Sequence, residues 1–189
     1  MPLPPSLPHL PRRAGALAAT AVAVVLSLVL SLALGACQPA LTLRNLDARV
    51  HGSSLDDFRA WWVAEQAALH GVSRSTVLDW VRAGSSRIDD RASRSGRWDL
   101  STDLCSFAPE SGPGFDFRWP CIRHDLAWRN LKRLDRQAGG GIATRARRLR
   151  ANDRFLTDLE ATCRTRSLVE RAACFAIAAT YAQAVDLAA

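Results

Sequence analysis

Two cysteines sixteen residues apart, Cys105 and Cys121, sit in the stretch 101–132, which reads STDLCSFAPESGPGFDFRWPCIRHDLAWRNLK. A bond between them would fold Asp103, just before the first, back towards His124 and Asp125, just after the second. Two carboxylates and one imidazole would then share a small volume, enough for a hard cation and a general base. The rest of the chain is read around that constraint.

Cysteine parity fits a bonded framework once the N-terminus is read. Residues 1–36 hold no acidic residue, start with Arg12 and Arg13, and carry a long Ala/Leu/Val run over 14–36. A charged start, an apolar middle and a small-residue end describe a secretory signal peptide. The alternative is a permanent transmembrane helix, since the run approaches membrane-spanning length. Leu34-Gly35-Ala36 followed by Cys37-Gln38-Pro39 favours processing, and Leu-Gly-Ala-Cys is similar to a bacterial lipoprotein box with Cys37 as the lipidated residue. Of five cysteines, that leaves Cys105, Cys121, Cys163 and Cys174. Four cysteines in an exported chain imply two disulfides and allow three connectivities, of which nearest-neighbour pairing is preferred. Zinc is the rival use, but no C-x-x-C knuckle is present. The organisation expected is a signal peptide over 1–36, a lipidated tether over 37–52 and a catalytic domain over 53–189.

The chain carries 25 Lys and Arg against 18 Asp and Glu, a formal charge of +7, or +5 without Arg12 and Arg13. A basic exported protein is drawn to anionic surfaces such as phospholipid head groups. No aromatic-basic motif for nucleic acid is present, so nucleic acid is not expected as a partner.

The elements read as helices. Ser54 caps a helix with Asp57 at the reciprocal position; Leu55, Phe58 and Trp62 follow at helical spacing and Gly71 stops it. Ser73 or Ser75 opens a second helix through Val77, Leu78 and Val81, ending near Gly84. Trp61, Trp62 and Trp80 are expected in the core, with a membrane-facing edge as the alternative. Residues 84–100 are polar and arginine-rich. Pro109, Gly112, Pro113 and Gly114 mark an irregular loop in which Phe115, Phe117 and Trp119 either cover the loop or line an acyl-chain entry. A helix is expected from Cys121 to about Arg136, with Pro120 just before it and Gly139-Gly140-Gly141 as a break. Another spans Thr144 to Cys163, with Asn152 on its apolar stripe, where a buried amide needs partners. The last begins at Ser167 with a capping-box pattern and, apolar nearly all round, is expected to be the most buried element. No convincing strand appears. The expected fold is all-α: a small disulfide-stapled helical bundle with an irregular metal-binding loop.

On a helix, His124 and Asp125 point about 100° apart and so do different jobs. Asp103 and Asp125 offer hard oxygen ligands, the Leu104 carbonyl can add another, and such a set suits calcium. His124 would deprotonate a water, and the bound cation would stabilise the oxyanion formed when that water attacks an ester. Asn152 is the candidate to orient the imidazole from its other nitrogen.

Ser101-Thr102-Asp103-Leu104-Cys105, then Cys121-x-Arg123-His124-Asp125, then Arg129-Asn130, and Arg154-Phe155-Leu156-x-Asp158 through to Cys163 and Cys174, resemble the prokaryotic and fungal secreted phospholipase A2 family over roughly residues 53–185. The resemblance implies an all-α fold with two disulfides and hydrolysis of the sn-2 ester of glycerophospholipids by calcium and a histidine-activated water. Carried over, His124 is the base and Asp103, the Leu104 carbonyl and Asp125 are the calcium ligands. A membrane surface is expected as the working environment and a monomer as the working unit. Two departures stand out. The family has an aspartate three residues before the phenylalanine, where this chain has Asn152 followed by Asp153. It commonly has a tyrosine where Trp128 stands. Either Asn152 orients the histidine with no charge of its own, or a local shift brings Asp153 to it.

Two rivals remain at this stage. A metal-dependent His-Asp phosphohydrolase would need further histidines, for which His51 and His70 are available. A lipid-anchored binding protein on a catalytically weakened fold would draw its support from Asn152.

Overall fold

The computed structural model describes residues 42–94, 97–106 and 108–188. The apolar run over 14–36 and Cys37 lie outside the described residues. None of the described helices is long and apolar enough to cross a membrane.

Helix α1 covers residues 42–50, where a tether was expected. Its Leu46 and Val50 are buried in the larger apolar core, and the compact unit begins at Thr42, so the domain starts earlier than residue 53. Leu43, Leu46 and Val50 stand at helical spacing, but so short a segment raises no periodic signal that separates it from a tether. Helix α2, Leu55–His70, opens where Ser54 Oγ accepts the Asp57 N–H at 3.0 Å and closes at Gly71 with φ 65°, a left-handed cap that favours glycine. Helix α3, Arg74–Ala83, is capped by Ser73 and stopped by Gly84 in the same way. Two short 3-10 turns, Ser86–Asp89 and Arg91–Arg94, occupy the arginine-rich stretch.

The central loop contains a two-residue ladder, β1 Ser111–Gly112 against β2 Phe115–Asp116, too short to read from sequence. Helix α4 spans Arg118–Gln137, starting three residues earlier than expected. Pro120 lies inside its first turn, where a missing N–H costs no hydrogen bond. Helix α5 is Arg145–Arg164 with Thr144 as its cap, and α6 is Leu168–Leu187 with Ser167 and Glu170 forming the capping box. The cysteines pair as Cys105–Cys121, tying the loop to α4, and Cys163–Cys174, tying the end of α5 to α6.

Two apolar clusters fill the interior. Leu46, Phe58, Trp62, Val77, Ile88, Ile122, Leu126 and Leu131 belong to the larger; Phe117, Phe155, Leu159, Ala178 and the four cysteines form the smaller. Trp62 is fully buried and Trp61 and Trp80 pack partly covered against the same cluster, as core residues do. Phe115 and Phe117 join the smaller cluster and Trp119 the larger, so these three rings cover the loop. Helix α6 is not the most buried element. Only Cys174, Ala178 and Ala182 are covered, while Leu168 and Val169 are 80% and 90% exposed. It packs principally on α5, with Cys174 and Ala178 in the smaller cluster and Phe175, Ile177, Tyr181 and Val185 partly covered against it. Helix α4, with nine buried residues, holds the centre.

Candidate active site

Three consecutive residues of α4 face three directions. Arg123 points inward and is 1% exposed: its guanidinium donates to Asp158 on α5 and to the carbonyls of Arg49, Ser53 and Ser54. It locks α4 to α5 and to the α1–α2 connection. His124 turns towards α5, against the Phe155 ring at 4.7 Å between centroids. Asp125 turns towards the loop that carries Asp103. The helix period alone separates these roles.

The loop is held from several sides. Trp62 and Gln66 of α2 donate to the Leu100 carbonyl at 3.2 and 2.9 Å. Asn130 of α4 accepts the Asp99 N–H and donates to the Asp99 carbonyl, pairing with the loop backbone as a strand would. Thr102 accepts the Leu104 N–H at 2.9 Å and donates to Asp125 Oδ2 at 2.6 Å. Leu104 has φ 63°; among the described residues it is the one non-glycine in the left-handed region. For a leucine that conformation costs about 1–3 kcal/mol and persists only where the surroundings enforce it. Here the Thr102 hydroxyl, the neighbouring disulfide and burial of the leucine side chain enforce it. The strain fixes the direction of the Leu104 carbonyl beside Asp103.

The two carboxylates differ in surroundings. Burial raises the Asp125 carboxyl to about 7; Thr102 and Arg129 oppose the rise, and Asp103 adds to it. Asp103 is half exposed, and although burial works the other way, the Ser106 hydroxyl and Arg129 hold its carboxyl below the ordinary range. Arg129 bridges Asp103 and Asp89, with Asp125 Oδ2 3.8 Å away. A buried carboxylate that resists ionisation, beside a second carboxylate and a strained backbone carbonyl, is the environment a hard divalent cation relieves. Asp103, Asp125 and the Leu104 carbonyl are the oxygens here that could hold a hard cation such as calcium; among the described residues no cluster of three or more acidic, histidine or cysteine side chains has metal-holding geometry.

The imidazole is held by an amide whose orientation its neighbours decide. Asn152 is 2% exposed. Its Oδ1 lies 2.9 Å from His124 Nε2 and 3.0 Å from the Trp128 indole nitrogen; its Nδ2 lies 3.0 Å from the Val185 carbonyl and 2.9 Å from Asp186 Oδ1. Indole N–H can only donate, and a carbonyl and a carboxylate can only accept, so the amide has one orientation. Its oxygen faces His124, which must donate from Nε2, leaving the Nδ1 lone pair to take a proton. Burial lowers the His124 pKa to about 4 against the opposing effects of Asn152 and Asp186, which favours the neutral ring with its Nδ1 lone pair free.

Asp153 is not brought to the histidine: it is exposed on the next helical position, and its carbonyl accepts the Thr157 hydroxyl. Trp128 replaces the tyrosine hydroxyl with an indole N–H donor to the same amide. His51 is set by Arg150 and Asp47, and His70 meets Ser93 and Trp80, so neither joins His124 and Asp125. Thr102 and Asp186 were missed from sequence. A side chain bridging two turns leaves no spacing signal; Asp186 left a faint one, an acidic residue closing a helix whose C-terminal dipole disfavours it.

His124 and Asp125 thus lie side by side on α4, which the Cys105–Cys121 disulfide staples to the loop carrying Asp103, in a small disulfide-bonded α-helical fold. The family model for prokaryotic phospholipase A2 matches residues 76–189. The chain belongs to that family. It is also 40% identical over 65 residues to a secretory phospholipase A2 of Arthroderma benhamiae, a match covering 34% of this chain and 40% of the relative. The chain thus spans well under half the length of that curated relative.

Proposed function

We infer that the protein hydrolyses the sn-2 acyl ester of glycerophospholipids, releasing a fatty acid and a lysophospholipid. The carrying observation is the fixed tautomer of His124, whose Nδ1 lone pair sits one residue from a buried carboxylate suited to a cation. Asp103, Asp125 and the Leu104 carbonyl would hold calcium, which when bound supplies electrostatic stabilisation of the oxyanion. His124 Nδ1 takes a proton from water as the water oxygen bonds to the ester carbonyl carbon. The C–O bond to the glycerol oxygen then breaks, and the proton passes from Nδ1 to that leaving oxygen. Asn152 and Trp128 keep the ring in place throughout, and Phe155 flanks one side of it.

Asn152 was the best support for a weakened binding protein; its oxygen nevertheless accepts from His124 Nε2 and leaves Nδ1 free to take a proton, which favours the enzyme reading. The secretory relative and the N-terminal pattern favour export. The Leu-Gly-Ala-Cys motif favours a lipid anchor at Cys37, which would hold the monomer at a membrane surface and raise the local lipid concentration. With α1 in the fold, any tether ends before residue 42.

Calcium should bind in the absence of lipid. At a hundred times its Kd it should stabilise the fold by about 2.7 kcal/mol, read as a rise in unfolding temperature. The same addition should enable fatty acid release from mixed phospholipid vesicles. Both effects should vanish in Asp125→Asn. A variant that keeps the thermal shift would remove Asp125 from the ligand set, and release undiminished in EGTA would remove calcium from the reaction.

A further inference from the structure

We propose that Asp186 is a positioning residue which, acting through Asn152, supplies the negative charge that the amide itself lacks. The inference rests on the hydrolytic reading above. Asn152 Nδ2 donates to Asp186 Oδ1 at 2.9 Å while Asn152 Oδ1 accepts from His124 Nε2 at 2.9 Å, so imidazole, amide and carboxylate form an unbroken chain. Hydrogen bonds in series polarise one another. A carboxylate drawing on the amide N–H makes the amide oxygen a better acceptor, and that matters most when His124 has taken a proton and become cationic. A buried asparagine alone would leave that cation without a counter-charge.

The position of Asp186 argues the same way. It stands in the last turn of α6, where the helix dipole disfavours an anion. It is exposed. A carboxylate there gains nothing for the helix; its described polar partner is Asn152. Solvent weakens the charge, so the effect on rate is moderate.

The consequence for Asn152 is specific. Asn152→Asp, the change towards the family pattern, would set a second carboxylate against Asp186 and against the Val185 carbonyl. In that background Asp186 hinders, whereas in the native chain it helps. A double-mutant cycle on fatty acid release from calcium-loaded vesicles tests this. Asp186→Asn in the native chain should lower kcat about three- to tenfold with KM unchanged and an unfolding temperature no lower than the parent's. In the Asn152→Asp background the same substitution should raise kcat, the new amide donating to the new carboxylate. A structural role would lower both rates and the unfolding temperature together. Equal effects of Asp186→Asn in the two backgrounds, or none in either, would overturn the proposal and leave the hydrolytic reading standing. A parent enzyme that releases no fatty acid would overturn both.

Discussion

Replacing His124 with alanine should lower kcat on phospholipid vesicles by about a hundred- to ten-thousandfold, the range a positioned general base contributes. On the proposed mechanism the loss should fall on kcat with KM little changed, because the ring would act on the reacting water while the lipid would be held by other groups. The ring packs on Phe155 and Trp128, so its removal also leaves a gap. His124→Gln fills that gap and keeps an amide able to meet Asn152 Oδ1, yet has no lone pair of comparable basicity. It should be as inactive as the alanine variant while unfolding closer to the parent temperature. Steady-state release of fatty acid beside thermal unfolding separates the two effects. A glutamine variant with a tenth or more of the parent rate would show that another group takes the proton.

Asp158→Ala should cost about 3–5 kcal/mol, the usual penalty for stranding one partner of a buried ion pair. The Arg123 and Asp158 side chains are 2% and 3% exposed, and Arg154 also donates to Asp158. Burial pushes the Asp158 carboxyl up despite both arginines, so the pair does little more than offset its own desolvation. Without the carboxylate, the Arg123 guanidinium keeps its bonds to the Arg49, Ser53 and Ser54 carbonyls but stays a buried charge with no counter-ion. For a domain of this size the loss corresponds to a fall of roughly 10 °C in unfolding temperature. Arg123→Ala should cost less in charge imbalance, since Asp158 retains Arg154, but it should loosen α1 from α4. Urea unfolding measures both, and a loss below about 1 kcal/mol for Asp158→Ala would mean that water reaches the pair.

Much of this was legible in the sequence because its signals are local. Ser54, Ser73 and Ser167 announce helix starts by chemistry confined to one turn, and Gly71 and Gly84 announce ends. Asn152 stood out as an amide on an apolar stripe, and the stripe itself led towards His124. What stayed hidden was set by packing between distant segments. Helix α6 carries a core-like composition, yet it buries one face, through Cys174, Ala178 and Ala182, and leaves Leu168 and Val169 in water. Leu104 takes a glycine's backbone conformation because Thr102, the disulfide and the core force it there, and nothing in its own side chain announces it. The partner that completes Asn152 lies 34 residues on, at the end of another helix. Arg123 and Asp158 were visible only as members of a motif; their burial, and the role of Arg123 in anchoring α1, come from three segments meeting at one guanidinium.

The most direct test uses phosphatidylcholine with distinguishable acyl chains at sn-1 and sn-2, presented in vesicles with calcium and followed by mass spectrometry. The expected products are the sn-2 fatty acid and the 1-acyl lysophospholipid in equal amounts, absent in EGTA and absent with His124→Ala. Release of the sn-1 chain, or lipid left intact by folded, calcium-loaded protein, would contradict a histidine-activated water aimed at the sn-2 ester.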